Sequence, residues 1–467
     1  MHIGKKDILW NFLATFMRVA SGLIVLPLVL RLLSTDEVGL WAVFLSISSL
    51  AILLDFGFSN SFTRNITYIF SGVKALKAEG YHTSSRSDNS VDYGLLKSVI
   101  VAMKRYYGII ALIFLAVFIV ASPFYFTDIL ETKYSGNNKT EVWIAWYTYG
   151  GLVAYQIYTF YYNSLLAGRG FVKKLNQIII ISQASRILSS VVFLLLGFGL
   201  LSLVIGQLVS DIVNRILAYK AFYDKTLREL LKDAILTPVN DIMKVMTPNA
   251  LKIGVTTLGT FFLGKGIIFF AVKNLTLGEI ASYSTTKQMI DLIMSLSTIW
   301  FSTFYPKLTM HRVNEEMIDV KRMYLKGNLA MFGVYIVCGI GLIVVGPLLL
   351  NLIHSKTQLL TSAMILVLLL GALFDSNQNM ATSFLLTGNE VPFMKPTIYA
   401  GILSLGILLF CLYFTHIGVW AMIIAPFIAL SVYAYWKWPL VVIKQLNIKP
   451  SDYMTTLVSI VKDFRKK

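Results

Sequence analysis

Residues 38–65 read VGLWAVFLSISSLAILLDFGFSNSFTRN. From Val38 to Leu54 the run carries no charged residue. Along a helix rising 1.5 Å per residue, Asp55 lies about 26 Å from Val38, most of the way across a hydrocarbon core about 30 Å thick. The run is long enough to cross a membrane as a helix, and it ends in a carboxylate. Gly57 permits a bend just beyond, and Arg64 follows Asp55 by nine positions. Apolar runs of this kind recur along the whole chain. A β-barrel would instead show alternating segments of about ten residues, and none occur.

Composition agrees with the helical reading. The 467 residues are 56% hydrophobic and 14% charged, against about 25% charged in a soluble domain; mean hydropathy is +0.70. The expected class is an all-α polytopic membrane protein. The start, MHIGKKDILWNF, is basic, but the apolar run to Leu33 is too long for a signal-peptide core and no A-x-A site follows. The first span is therefore expected to stay in the protein. Cys338 and Cys411 both lie in apolar runs and read as small buried hydrophobes rather than a disulfide or metal site.

The formal charge of +17 would suit nucleic-acid binding, but its distribution does not. Twelve spans are expected near 8–31, 37–59, 97–122, 142–166, 176–198, 201–222, 248–272, 278–304, 326–350, 358–387, 395–414 and 417–439. With the N-terminus cytoplasmic, 30 of the 41 Lys and Arg fall in or beside cytoplasmic segments. Only Arg31, Lys133, Lys139, Lys273 and Lys356 fall outside. This positive-inside bias puts both termini in the cytoplasm.

The chain repeats itself. RLLSTDEVGLWAV matches KNLTLGEIASYST at an offset of 242, pairing Arg31 with Lys273, Ser34 with Thr276, Glu37 with Glu279 and Gly39 with Ala281. LLAGRGFVKK matches LLTGNEVPFM at an offset of 220. Two six-helix bundles are expected, related by a pseudo-two-fold axis along the membrane normal. The expected domains are an N-terminal lobe at 1–223, a cytoplasmic amphipathic linker at 224–247 and a C-terminal lobe at 248–467. Leu227, Leu231 and Ile235 form the apolar face of the linker. Residues 72–92 are polar and read as a cytoplasmic loop.

No Walker A sequence, metal-type His/Cys cluster or G-x-S-x-G elbow occurs. No enzyme activity, cofactor or metal is expected, and energy must come from an ion gradient or from the solute's own gradient.

Six cations fall within spans: Arg18, Arg186, Arg215, Lys252, Lys265 and Lys287. Four acids do so as well: Asp55, Asp211, Asp291 and Asp375. Each mid-span charge costs roughly 2.5–3.5 kcal/mol on insertion, so these groups should face one another or a wet cavity. Helical spacing groups several of them. Asn11, Thr15, Arg18 and Gly22 share one face of span 1. Span 8 has Ser284, Lys287, Asp291, Ser295, Thr298 and Ser302; span 7 has Lys252, Thr256, Thr260 and Gly264. Gln207, Asp211 and Asn214 lie on span 6 beside Arg215, and Asp375, Asn379 and Thr382 lie on span 10.

Lys287 with Asp291, and Asp211 with Arg215, are each four residues apart and fit a structural ion pair as well as a functional one. Arg18 has no local partner. Lys252 is within a turn of the cytoplasmic end and can snorkel. Arg186 shares a face with Gln183 and Ser190. Lys265 lies off the polar face of span 7 and is set aside. Cations exceed acids six to four, which suits an anionic solute, since Arg and Lys both hold phosphate. The run WIAWYTYGGLVAYQIYTFYYNS in span 4 could stack sugars, or could be an interfacial belt and packing.

LLDFGFSNSFTRN and NSLLAGRGFVKKLN resemble the end of span 2 and the turn after span 4 in bacterial polysaccharide-unit flippases. With twelve spans, two halves and a cationic interior, the chain resembles the O-antigen and capsule flippase branch of the multidrug/oligosaccharidyl-lipid/polysaccharide (MOP) exporter superfamily. The resemblance implies two six-helix bundles around a cavity open to alternate faces of the inner membrane. It implies translocation of an undecaprenyl-pyrophosphate-linked oligosaccharide to the periplasmic leaflet, coupled to protons or sodium ions. Other implied contacts are membrane lipids and the polysaccharide polymerase machinery, with a single chain as the working unit. Arg18, Lys252 and Lys287 then match pyrophosphate-binding positions, with Arg64, Arg186 and Arg215 as further candidates for pyrophosphate or sugar. Asp55, Asp211, Asp291 and Asp375 are the candidates for ion coupling or gating. The competing expectation is a cation-coupled antiporter of drugs or other small molecules from the same superfamily.

Overall fold

The computed structural model describes residue 17 and residues 24–73, 91–236, 238–313, 315–387 and 392–465. Every described element is helical. Arg18 lies outside the described residues, as does most of the loop expected at 72–92. Eight described helices are long and apolar enough to cross a membrane. Of the twelve expected spans, 1, 4, 7 and 8 are not among them; most of span 1 lies outside the described residues, and spans 4, 7 and 8 carry rows of tyrosines, hydroxyls or charges.

The chain divides into two compact units, Met1–Phe261 and Phe262–Lys467. The first holds α1 (24–32), α2 (Thr35–Leu54), α3 (Phe58–Phe70), α4 (Tyr93–Lys133), α5 (Lys139–Thr159), α6 (Tyr161–Gly168), α7 (Val172–Leu195), α8 (Leu201–Phe222), α9 (Lys225–Asp233) and most of α10 (Val239–Leu263). The second holds α11 (Gly266–Ala271), α12 (Leu277–Val313), α13 (Met317–Leu352), α14 (Ser362–Leu386), α15 (Met394–Phe410), α16 (Trp420–Ser431), α17 (Ala434–Gln445) and α18 (Pro450–Arg465). The division falls inside α10, within the seventh span.

In the first unit the core is aromatic. Trp146, 1% exposed, stacks on Phe126 at 4.0 Å and meets Phe44 edge-on at 5.2 Å. Its indole N–H donates to Ser122 Oγ at 2.8 Å, so the polar end is satisfied while the ring fills the core. In the second unit Phe301, Tyr324, Met331, Phe384 and Trp438 form the corresponding core.

Span 2 breaks where Asp55 and Gly57 stand. Phe56 has φ +46° and Gly57 φ +72°, left-handed values that end α2 and redirect the chain into α3. Asp55 caps the new helix: its carboxylate accepts from the Ser59 amide at 3.2 Å and the Ser59 hydroxyl at 2.6 Å. Tyr107, fully buried on α4, donates to the same carboxylate at 2.6 Å. Gly254 of α10 packs on the break; a Cβ there would come 2.8 Å from the Phe56 Cα.

The two units repeat the same devices. Ser34 and Glu37 form a capping box at the start of α2, and Thr276 and Glu279 form one at the start of α12, with amide and hydroxyl both 2.9 Å from the Glu279 carboxylate. Each glutamate faces a glycine of positive φ, Gly199 for Glu37 and Gly418 for Glu279. Pro123 in α4 and Pro347 in α13 both stand thirty residues after their helix starts. Lys97, near the start of α4, donates to the Lys232 and Ala234 carbonyls at 3.1 and 2.9 Å, at the end of α9. Lys321, at the same place in α13, donates to the Asn447 carbonyl at 2.7 Å and pairs with Asp452 at the start of α18.

The linker helix is shorter than the sequence suggests. α9 ends at Asp233, Ala234 turns extended, and Leu227 and Leu231 are buried while Ile235 is exposed. α18 repeats this role at the C-terminus. Its apolar–polar pattern begins with a proline at the first helical position, a start signal that was readable in the sequence.

Candidate functional site

Each unit carries its own polar cluster at membrane depth. In the first unit the centre is Asp211, buried on α8. Gln156 of α5 donates to one carboxylate oxygen at 2.7 Å, and Gln207, one turn before, donates to the other at 3.0 Å. Arg186 of α7 and Arg215 of α8 flank this carboxylate within electrostatic reach. Arg215 makes no direct salt bridge to Asp211 among the described residues: its guanidinium donates to the Asn214 side-chain oxygen Oδ1 at 3.3 Å. Asn214 in turn donates to Ser182 of α7 at 3.0 Å. The i, i+4 spacing therefore did not yield a pair, because two amides reached the carboxylate first. Arg215 Nε and Gln183 Oε1 are buried without a hydrogen-bond partner.

In the second unit a cavity of about 150 Å³ is lined by Lys265, Tyr283, Lys287, Asp291, Asp375 and Tyr435, with Gly264 and Pro426 among the apolar remainder. Lys287 is hydrogen-bonded to Asp291 one turn on, so here the spacing does give a pair. Asp375 of α14 lies within electrostatic reach of Lys287 and lines the cavity beside Tyr435 of α17. The volume holds several waters or a hydrated ion. It is well below the roughly 300–1,000 Å³ of a drug-sized pocket, so the cavity matches an ion rather than an oligosaccharide.

No protein-family model matches the sequence. No curated protein matches it either. Solved structures do. A multidrug-resistance MATE family transporter of the MOP superfamily, in an inward-facing conformation, aligns over 96% of both chains with TM-score 0.64 and 15% identity. The lipid II flippase MurJ, in an inward closed conformation, aligns over 97% of this chain and 90% of its own with TM-score 0.59 and 15% identity. A MOP superfamily transporter from Pyrococcus furiosus Vc1, described as having a binding pocket of reverse polarity that suggests a different function, aligns over 95% and 96% with TM-score 0.55 and 16% identity.

The chain has the fold of the MOP-superfamily transporters. It is a multi-pass membrane protein whose neighbours in fold are transporters and a flippase, not enzymes. At such identities the likeness concerns the fold alone.

Within this MOP fold the candidate residues fall into three groups. Asp211, Arg186 and Arg215 come together in the first unit; Lys287, Asp291 and Asp375 come together in the second. Asp55 stands apart, held at the span 2 break by Ser59 and Tyr107. Arg64 is exposed on α3, without a hydrogen bond or ion pair among the described residues. Arg18 lies outside the described residues, and so does the Lys252 side chain, although Lys252 sits on the α10 helix.

Lys265 is the correction. The sequence placed it off the polar face of span 7, yet it lines the cavity with Lys287 and both acids. The helix stops at Leu263, and Gly264 and Lys265 form a turn before α11 resumes at Gly266. A helical wheel carried through that turn gives the wrong azimuth. Gly264 beside a lysine at mid-span was the available sign of a break. Tyr435 also lines the cavity, and no polar spacing in its span singles it out. Among the described residues, His311, Glu316 and Asp319 offer ligand atoms within 4.8 Å of one another. They are partly to fully exposed, and the His311–Glu316 bond closes the α12–α13 turn.

Proposed function

We propose that this protein flips an undecaprenyl-pyrophosphate-linked oligosaccharide, of the O-antigen or capsule class, from the cytoplasmic to the periplasmic leaflet of the inner membrane. It works by alternating access, with both termini in the cytoplasm. The observation that carries this reading is the sign of the charge at membrane depth: six cations against four acids. In the first unit two arginines flank one carboxylate whose oxygens are already occupied by Gln156 and Gln207. A net cationic surface of this kind favours a pyrophosphate over a cationic drug. Arg18, Arg64, Arg186, Arg215, Lys252 and Lys287 are the proposed contacts to the pyrophosphate and sugar. MurJ, described as a lipid II flippase, lends the fold a precedent for such cargo.

The second-unit cavity is the proposed coupling site. A proton or sodium ion arriving between Asp291 and Asp375 would compete with Lys287 for the same carboxylates, so that ion occupancy and lysine position are exclusive. Asp211 and Asp55 are proposed to gate the first unit. Movement of the product toward polymerase machinery, by a single working chain, completes the proposal.

A second reading is an antiporter of drugs or small molecules, favoured by the two carboxylates that line the cavity and by the multidrug transporters that share the fold. Translocation of a fluorescent undecaprenyl-pyrophosphoryl oligosaccharide in proteoliposomes separates the two. The flippase reading expects movement that Arg215→Ala and Arg18→Ala reduce at least tenfold. Absence of lipid movement, with ethidium exported against a proton gradient, would replace it by the antiporter.

A further inference from the structure

The first unit carries a strip of tyrosines that the charge clusters do not explain. On α5 and α6, Tyr147, Gly151, Tyr155, Tyr158 and Tyr162 recur at intervals of three and four, along one face. Tyr155 is 38% exposed and Tyr158 40%. A Cβ on Gly151 would meet nothing within 4 Å, so the strip has an open gap one turn above Tyr155. The strip continues in rings packed at the cytoplasmic end. Tyr158 meets Tyr161 edge-on at 6.1 Å, Tyr161 stacks on Tyr162 at 4.4 Å, and Tyr219 of α8, 43% exposed, packs on Tyr223 at 5.1 Å. Lys104 and Arg228 lie over the outer rings, at 5.9 Å from Tyr161 and 5.2 Å from Tyr219.

Two observations distinguish the strip from an interfacial belt. The first is depth. Tyr155 lies thirteen residues and Tyr158 ten inside the end of α6, and Arg215 seven inside the end of α8, about 20, 15 and 10 Å along helix axes, whereas Tyr219, three residues from the end of α8, is the strip's member at the interface. Belt residues sit at the headgroup level. The second is unmet polarity. Arg215 stands within electrostatic reach of Tyr155, Tyr161 and Tyr162, and its Nε has no partner; nor has the Tyr223 hydroxyl. A buried guanidinium N–H left open calls for an acceptor. Tyrosine rings beside it offer flat faces and hydroxyls, the chemistry that fits the C–H faces and hydroxyl groups of a pyranose.

We infer that this strip is a saccharide-binding site on the first unit, with Tyr155, Tyr158 and Tyr219 presenting rings to the sugar and the Arg215 guanidinium behind Tyr155 supplying positive charge to the phosphate joined to it. The inference rests on the flippase reading and sharpens it: the strip would take up the sugar end on the cytoplasmic side, where the cargo begins.

The test compares two probes on full-length protein in nanodiscs: undecaprenyl pyrophosphate, and undecaprenyl-pyrophosphoryl-N-acetylglucosamine. The native protein should bind the sugar-bearing lipid about tenfold more tightly, the worth of one well-placed ring contact. Tyr158→Leu and Tyr219→Leu should bring that ratio close to one, and Tyr158→Phe, which keeps the ring, should preserve most of it. As a measurement free of substitution, acetylation of Tyr158 and Tyr219 by N-acetylimidazole should slow with the sugar-bearing lipid and not with the bare one. A ratio of one in the native protein, a ratio surviving both leucine variants, or acetylation indifferent to the sugar would overturn the strip and leave the flippase reading standing. Binding of neither lipid would overturn both.

Discussion

The bond between Tyr107 and Asp55 fixes the break in span 2, and its strength can be measured. Tyr107 is fully buried and donates to the Asp55 carboxylate at 2.6 Å. Interhelical hydrogen bonds inside membranes average only about 0.6 kcal/mol. Here the acceptor is a carboxylate, and charge-assisted bonds reach about 1.5–3 kcal/mol. Tyr107→Phe should therefore lower stability by about 2 kcal/mol. Asp55→Ala removes both this bond and the cap on α3, the latter worth about 1 kcal/mol. It does not strand the tyrosine completely, because Ser59 Oγ stands 3.0 Å from the Tyr107 hydroxyl. The double variant should lose less than the sum, with a coupling energy of about 1–2 kcal/mol. The assay is reversible unfolding in mixed dodecylmaltoside and dodecylsulfate micelles, followed by helical ellipticity. Additivity within about 0.5 kcal/mol would refute the reasoning, since Asp55 and Tyr107 would then be neighbours without a shared bond.

Further outcomes are expected. Asp55→Asn and Arg64→Ala should each reduce lipid export in cells, and normal export in both would remove the gating role of Asp55 and the pyrophosphate contact of Arg64. Gly254→Leu should destabilise by about 1–3 kcal/mol through overpacking on the backbone of Phe56, read in the same micelle titration. Lys265→Met and Lys287→Met should each lower ion-coupled uptake in proteoliposomes at least tenfold; uptake at the native rate in Lys265→Met would detach Lys265 from the cavity's function. The Asp224 carboxyl, which caps α9 through the Leu227 amide and pairs with Arg169, is held below its ordinary value of 3.8. A depressed acid stabilises above its unfolded pKa and loses that contribution as pH falls through the folded one. A nitroxide at Leu230 should accordingly stay immobile at pH 6 and gain mobility only below about pH 4, and Asp224→Ala should show that mobility at both.

Much of the fold was legible because the membrane imposes length. Val38–Leu54 announced a span, and α2 covers Thr35–Leu54. Gly57 announced a bend, and the chain bends there. The helix ends outside the hydrocarbon were less legible: α4 runs to 41 residues because nothing polar stops it at Ser122, whose hydroxyl bonds back to the Phe118 carbonyl. Within the sites, spacing along one helix told which groups are neighbours but not which bond forms. Lys287 and Asp291 pair, whereas Asp211 is taken by Gln207 of its own helix and by Gln156 from another, and no one-helix pattern contains the second partner. Lys265 was lost to a two-residue turn.

The matching lysines, capping boxes and prolines carry an evolutionary consequence. Lys97 and Lys321, Glu37 and Glu279, and Pro123 and Pro347 read as parts retained from a duplicated ancestor, because each does the same mechanical work in its own half. The charged interiors were not retained: no counterpart of Lys287 or Asp375 stands in the first half, where Leu45 and Tyr155 occupy the matching places, and none of Asp211 or Arg215 stands in the second. A chain assembled from two copies of one half would inherit a complete chassis and only one of the two chemistries. Symmetry in this protein belongs to its framework, and the two polar clusters depart from it.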